Sequence, residues 1–281
     1  MRRLLIVLLV LALVFLTPVA LLRSERVVLA LAHWAVDSFT DLRLAKEAGV
    51  MAGMLVVSRV FWHLDPTIKT EVLISDGQLV KPGDTVAVIS GSILKILQGE
   101  RLALNFLSHL SGIASLTTRY RARVGNSPVR ICDTRKTTPG WRALEKYAVR
   151  TGGAANHRMS LSDGILIKDN HIDGAGSISK AVNRCLKQMK KKKIPIEVET
   201  RNLAEVQEAL SLPVQRIMLD NMNVSELKKA VLLIAGKVET EASGNITLEN
   251  VMQVAETGVD FISVGSLTHS VPALDISLEV S

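Results

Sequence analysis

The stretch IPIEVETRNLAEVQEALSLPVQRIMLDNMNVSE, residues 194–226, contains one pattern twice. An apolar run, IPIEV, ends in Glu199 and Thr200, and Asn202 with Glu205 three residues later opens an amphipathic helical stretch. RIML follows and ends in Asp220 and Asn221, after which Asn223 with Glu226 opens the next helix. A short apolar strand leading to a capped helix, repeated, predicts βα units with parallel strands and right-handed crossovers.

The pattern continues on both sides. VRIC (129–132), ILI (165–167), KVET (237–240) and FISV (261–264) are further short apolar runs, and from the third strand on the interval is a little over twenty residues. Thr247 reads as another cap, and Gly236 and Gly258 stand where helices should stop. Polar residues collect at one end of each run: Asp133, Arg135 and Lys136 after VRIC, and Lys168, Asp169 and Asn170 after ILI. Glu241 with Ser243-Gly244 follows KVET, and Gly265-Ser266 follows FISV. In an α/β barrel the C-terminal strand ends open on one face, so these groups would share a rim.

The rest of the chain has a different grammar. Residues 76–92, DGQLVKPGDTVAVISGS, alternate apolar and polar positions between turn signals and predict a hairpin. Residues 100–120 carry Leu102, Phe106, Leu107 and Leu110 at helical spacing, with a break expected at Ser111-Gly112. Residues 4–22 are almost wholly apolar behind Arg2 and Arg3, the look of a signal peptide or membrane anchor. Arg23, Glu25 and Arg26 follow at once and no clear cleavage site is evident, so a packing helix is the alternative.

Composition narrows the function classes. The 281 residues are 48% hydrophobic, enough for a large core, with a net charge of +7. Part of that charge is Lys187 with the lysines at 190–193, which reads as a solvated helix end. Aromatic residues make up only 4%, which leaves few bases a stacking partner and argues against nucleic acid. Cys132 and Cys185 fall in predicted buried segments and read as inert thiols.

In DTRKTTPGW (133–141) two like charges, Arg135 and Lys136, stand side by side. They make sense if they grip an anion. With His157, Arg158, Lys168 and His171 as a further candidate, they form a cationic set suited to a ligand with more than one anionic centre. Glu199, Asp220 and Glu241 suit a hard cation such as Mg²⁺ carried by a polyphosphate. Ser243-Gly244-Asn245 and Val264-Gly265-Ser266 offer backbone N–H groups ahead of helices, as phosphate cradles do.

Together with ERLALNFLSHLSGIAS (100–115), DTRKTTPGWRALEKYAVRTGGAANHR (133–158), IKDNHI (167–172), IEVET (196–200), IMLDNM (217–222), EASGNIT (241–247) and GVDFISVGSLTHSVPALDISL (258–278), the sequence resembles the quinolinate phosphoribosyltransferase family. The resemblance implies an α/β fold, an incomplete α/β barrel with an N-terminal open-faced α/β sandwich domain. It divides the chain into an apolar segment (1–22), a sandwich (23–115, completed by about 268–281) and a barrel (116–267). The implied activity is phosphoribosyl transfer from phosphoribosyl pyrophosphate to quinolinate with loss of CO₂ and pyrophosphate. Arg135, Lys136, His157, Arg158 and Lys168, with Thr134 beside them, would bind quinolinate. Glu199 and Asp220 would hold the ribose and Mg²⁺, and Lys136, Lys168, Glu199 and Asp220 would be catalytic. Ser243, Gly244, Asn245, Val264, Gly265 and Ser266 would seat phosphate. Arg101 would reach the neighbouring subunit's site in a homodimer or larger homo-oligomer. A cytoplasmic enzyme is implied, with residues 4–22 packed on the sandwich or a partner subunit, although contact with a membrane stays open.

The sequence departs from the family at three places. Asn245 stands where the family has a second glycine, Ala154-Ala155 interrupt the glycine run before His157, and VDSFTDLR (36–43) replaces an expected acidic, glycine-containing segment. The rival readings are a relative acting on a monocarboxylate base and an inactive, membrane-tethered homologue.

Overall fold

The structure, a computed structural model, describes residues 38–43, 47–189 and 194–280. The expectations for residues 4–22 and for the lysines at 190–193 lie outside the described residues. Among the described residues no helix is long and apolar enough to cross a membrane.

The N-terminal half begins with β1 (Ser38–Arg43), β2 (Gly49–Val50), α1 (Met54–Leu64), β3 (Lys69–Val72), β4 (Leu79–Val80) and β5 (Thr85–Gly91). β1, β5 and β3 join β12 (Glu279–Val280) in a four-stranded sheet of order β12-β1-β5-β3, antiparallel throughout. The C-terminal strand thus closes a sheet begun more than two hundred residues earlier, and the unexpected VDSFTDLR supplies one of its strands. Phe61, Val86, Ile89, Ile96 and Leu107 lead the core under this sheet.

Two sequence expectations are corrected here. The predicted hairpin at 76–92 has its turn, in which Lys81 N–H donates to Asp84 Oδ2 (2.8 Å), but its arms separate. Leu79–Val80 pairs with Gly49–Val50, whereas β5 pairs with β1 and β3. The expected break at Ser111-Gly112 is absent, because α2 (Ile93–Val124) runs straight through. The glycine is there for a crossing: a Cβ on Gly112 would lie 2.2 Å from Pro272 O, and Ser111 Oγ accepts the Ala52 N–H (3.0 Å).

The second half is built from β6 (Arg130–Cys132), α3 (Arg142–Thr151), β7 (Ile165–Ile167), α4 (Asp169–Ala175), α5 (Ile178–Met189), β8 (Ile196–Thr200), α6 (Leu203–Leu210), β9 (Arg216–Asp220), α7 (Val224–Ile234), β10 (Glu239–Ser243), α8 (Val251–Ala255), β11 (Phe261–Ser263) and α9 (Ser266–His269). The six strands are parallel, in the order β6-β11-β10-β9-β8-β7. β6 and β7 do not pair, so the barrel is incomplete, and Ala155 bridges to Cys132 in the gap.

Side chains alternate as strand geometry requires. Ile131, Ile196, Val198, Ile217, Leu219, Ala242 and Ile262 join the apolar core beneath the helices. Their neighbours Glu197, Glu199, Met218, Asp220, Glu241 and Ser263 therefore face the barrel interior. Of the predicted caps, those at Asn223 and Asn202 form and the one at Thr247 does not. Asn223 and Glu226 make a complete box, and Asn202 Oδ1 accepts the Glu205 N–H (3.0 Å), while the Glu205 carboxylate turns to Arg201. Thr247 stands one turn before its helix, which starts at Val251, and accepts that residue's N–H through its carbonyl.

Candidate active site

A cavity of about 780 Å³ opens at the C-terminal strand ends. It brings together Thr134, Arg135, Lys136, His157, Arg158, Lys168, Glu199, Asp220, Ser243, Gly244, Asn245, Gly265 and Ser266, all anticipated from sequence. A smaller cavity of about 460 Å³ adjoins it, lined by His109, Arg135, Lys136, Thr137, Thr138, Thr268 and His269 among others. Three candidates lie elsewhere. Val264 is buried in the core and its N–H is committed to Cys132 O (2.9 Å), which corrects its assignment to phosphate. His171 does not line the cavity; its Nδ1 accepts the Lys168 N–H (2.9 Å) at the start of α4. Arg101 is exposed on α2 and outside both cavities.

The loop after β6 is held from beneath. Asp133, which the sequence places with the rim groups, turns inward and is fully buried. It accepts hydrogen bonds from Lys146 Nζ, Asn156 Nδ2 (2.6 Å) and His157 N (2.8 Å), and Lys146 also donates to His157 O (3.0 Å). Burial pushes the Asp133 pKa up despite the Lys146 ammonium beside it. Glu145, also buried, accepts the Thr138 N–H and pairs with His109 Nε2 (2.9 Å), and Thr268 Oγ1 donates to Lys136 O (2.7 Å). With its backbone fixed in this way, the loop presents the Arg135 and Lys136 side chains to the cavity.

Among the described residues, Arg135 Nε and Arg158 Nε are buried and find no hydrogen-bond partner. Burial, then the like charge of Arg135, holds the Arg158 pKa below the usual guanidinium value. A buried guanidinium N–H without a partner is costly, and two in electrostatic contact suit an anion, although Arg158 Nη1 is already held by Gly164 O (2.7 Å). The adjacent cations Arg135 and Lys136 thus line a cavity in which an anion would satisfy these donors.

The acids occupy two depths. At the rim, Glu199 Oε2 accepts from Lys168 Nζ (3.1 Å), and Asp220 Oδ2 accepts from Asn221 Nδ2 (2.6 Å). Glu241, expected beside them, lies deeper: it is fully buried and accepts from Arg216 Nη1 (3.0 Å). Burial and the nearby Glu197 charge push its pKa up to about 7. Period-2 alternation from Glu199 was the signal that could have found Glu197.

His157 Nε2 lies 3.1 Å from Glu197 Oε2 and 3.5 Å from Glu241 Oε2, near enough for ion pairing but off the hydrogen-bond direction. The two carboxylates outweigh burial and raise its pKa. Its Nδ1 accepts the Arg158 N–H (2.9 Å), so a hydrogen on Nε2 is the tautomer that suits both neighbours. A substrate carboxylate would have to compete with these contacts for either ring nitrogen.

Among the described residues His157, Glu197 and Glu241 form a group with metal-ligand chemistry, but Arg216 already neutralises part of its charge. Glu199 and Asp220 are the residues that would hold Mg²⁺, as carboxylates on adjacent strands that both line the cavity, with Lys168 Nζ giving up its contact to Glu199.

The predicted phosphate loop has a specific backbone. Gly244 has φ +92° and a Cβ there would fall 2.1 Å from Asn221 Oδ1, so glycine is required. Asn245 has φ +54°, a conformation asparagine tolerates, and its Nδ2 donates to Asn221 Oδ1 (3.1 Å). The departure from a second glycine is thereby accommodated. His269, which lines both cavities, was missed; it sits four residues after Gly265, one helical turn away.

Residues 113–279 match the family model described as Quinolinate phosphoribosyl transferase, C-terminal domain, and residues 43–111 match the corresponding N-terminal domain. The chain is 47% identical over 254 residues to the chloroplastic nicotinate-nucleotide pyrophosphorylase (carboxylating) of Arabidopsis thaliana, covering 84% of this chain and 72% of that one. Its fold is similar to the crystal structure of NadC from Streptococcus pyogenes, with TM-score 0.87, 41% identity and coverage of 94% and 96% of the two chains. The nicotinate-nucleotide pyrophosphorylase of Francisella tularensis gives TM-score 0.85 at 38% identity, with 90% of each chain covered.

Proposed function

The chain belongs to the quinolinate phosphoribosyltransferase family, and on that premise we propose that it transfers the phosphoribosyl group of phosphoribosyl pyrophosphate to quinolinate, releasing pyrophosphate and CO₂ and forming nicotinate mononucleotide for NAD synthesis. The observation that carries this reading is the pair of buried, unpartnered guanidinium donors of Arg135 and Arg158 in one cavity with Lys136 and Lys168. One carboxylate would leave such a set undersatisfied; adjacent carboxylates on a planar ring can engage several of its members.

In this reading Arg135, Lys136, Arg158 and Lys168 hold the base, with His157 and Thr134 walling it. Glu199 and Asp220 face the ribose, where their charge stabilises the positive character that develops at C1 as pyrophosphate departs. Ser243, Gly244, Asn245, Gly265 and Ser266 seat phosphate. Glu199 and Asp220 would also hold Mg²⁺, which when bound neutralises charge on the leaving pyrophosphate. The ring nitrogen attacks C1, and the quaternised ring then accepts the electrons of the departing carboxylate. The purified protein should release CO₂ and pyrophosphate only when quinolinate and phosphoribosyl pyrophosphate are both present. Equal calorimetric affinity for quinolinate and nicotinate would overturn the dicarboxylate reading.

We further infer a shared site in a homodimer or larger assembly. Arg101 is exposed and outside its own chain's cavities, so a role in catalysis requires a neighbour's. Mixing inactive Arg101→Ala and Lys168→Ala subunits should restore activity, because a mixed dimer holds one intact site. No recovery despite demonstrated subunit exchange would refute it. A cytoplasmic location is proposed from the metabolites used, and cell fractionation tests it.

A further inference from the structure

Loss of CO₂ leaves an electron pair on the ring carbon, which must gain a proton before the product departs. The rim is poorly equipped to give one. Guanidiniums hold their protons too tightly. Lys136 and Lys168 are committed to the base in the reading above, Lys168 Nζ also meets Glu199, and His269 Nδ1 already meets Ser270 Oγ. His157 Nδ1 is an acceptor and its Nε2 faces Glu197 and Glu241.

We propose that Glu241 is the internal acid that hands this proton to the pyridine carbon. The inference rests on the quinolinate reading above. Glu241 borders the cavity from below, shielded from bulk water. Its Oε2 is held by Arg216, whereas Oε1 makes no hydrogen bond, and neither does the buried hydroxyl of Ser263 on the adjacent strand. A buried carboxylate oxygen without a partner is costly; a carboxylic acid awaiting an acceptor in the cavity is much less so.

The groups around it tune both states. Burial and Glu197 on β8 favour the protonated form, while His157 in the barrel gap and Arg216 on β9 favour the anion. Cys132 on β6 keeps its thiol proton, its pKa raised by burial and then by the Glu241 charge. Burial and Glu197 outweigh the others, placing the pKa at about 7. In the step itself the bond from the ring carbon to its carboxylate breaks and the pair remains on carbon. The Glu241 O–H proton then forms the new C–H bond, leaving a carboxylate opposite Arg216. Solvent protonates Glu241 again after the product leaves.

The test begins with wild-type protein, assayed for quinolinate-dependent CO₂ and pyrophosphate release. No turnover removes the quinolinate reading, and this inference with it. With an active wild type, kcat/KM for quinolinate should fall about tenfold per pH unit above a limb near neutrality, since the acid form of the free enzyme is required. Glu241→Gln should lower kcat by about 10²-fold or more and abolish the limb, with calorimetric affinity for quinolinate kept within about threefold. An unchanged kcat and pH profile in a variant that binds quinolinate would overturn the proposal and leave the quinolinate reading standing. If Glu241→Gln fails to fold by circular dichroism, Glu197→Gln decides. Removing that like charge should move the limb to lower pH, and an unmoved limb overturns the proposal.

Discussion

Asp133→Ala should be among the most damaging single changes in the barrel, and more damaging than removal of its ion-pair partner. Asp133 and Lys146 are both buried, so neither can turn to solvent when the other is lost. Asp133→Ala strands the Lys146 ammonium with His157 O as its one remaining acceptor, and also frees Asn156 Nδ2 and His157 N–H. Breaking a buried pair in this way costs about 3–5 kcal/mol. At roughly 2–4 °C per kcal/mol for a chain of this size, the melting temperature should fall by about 6–20 °C. Lys146→Met is different. It fills the same space, and Asp133 keeps two donors; its carboxyl, already pushed up by burial, takes a proton more readily than an exposed acid. That change should cost about 1–3 kcal/mol. Thermal and urea unfolding of the two variants, followed by circular dichroism, measures the difference. If Lys146→Met costs as much as Asp133→Ala, the reasoning from residual donors is refuted. Asp133→Ala should also raise the KM for quinolinate, because the same carboxylate fixes the backbone of His157.

Three further outcomes are expected. Lys168→Ala removes a charged partner of the base and leaves Glu199 unpaired, so quinolinate affinity should drop about 10- to 150-fold by calorimetry, from about 1.5–3 kcal/mol. Gly244→Ala should raise the KM for phosphoribosyl pyrophosphate about tenfold or more, since a strained φ and contact with Asn221 distort the loop; Asn221→Ala in the same chain should recover only the share due to the clash. Asn245→Gly should leave that KM within about threefold in steady-state assays, because glycine adopts the same positive φ and only the Asn221 contact is lost.

The βα half was legible because its signals are local. Apolar runs, asparagine caps with a glutamate three residues on, and polar residues at strand ends report backbone periodicity and helix entry within a few residues of themselves. Six parallel strands follow from such signals, and so do the strand-end members of the site, from Arg135 and Lys136 to Gly265 and Ser266; Thr134 was anticipated only from the family resemblance, and His157 and Arg158 follow no apolar run. The N-terminal half shows where locality fails. Leu79–Val80 sits at the mouth of a well-formed turn, yet pairs with Gly49–Val50, because strand pairing is settled by which edges the packed core leaves open. Ser111-Gly112 resembles a helix break, but the helix continues, and the glycine serves the passing Pro272 carbonyl.

Within the site, residue types and the face they share were determined by sequence alone: cations after β6 and β7, and acids at alternate positions of β8, β9 and β10. Their contacts were not. Glu199 and Glu241 look alike as glutamates near strand ends, but one meets Lys168 at the rim and the other meets Arg216 in the buried interior. Both stand opposite Met218 of β9, so what separates them is the groups each meets: Lys168 beside Glu199, and Arg216, Glu197 and His157 around Glu241. Such contacts join chain segments far apart in sequence and exist only once the strands are paired, so charge state and the roles built on it were decided by the tertiary structure.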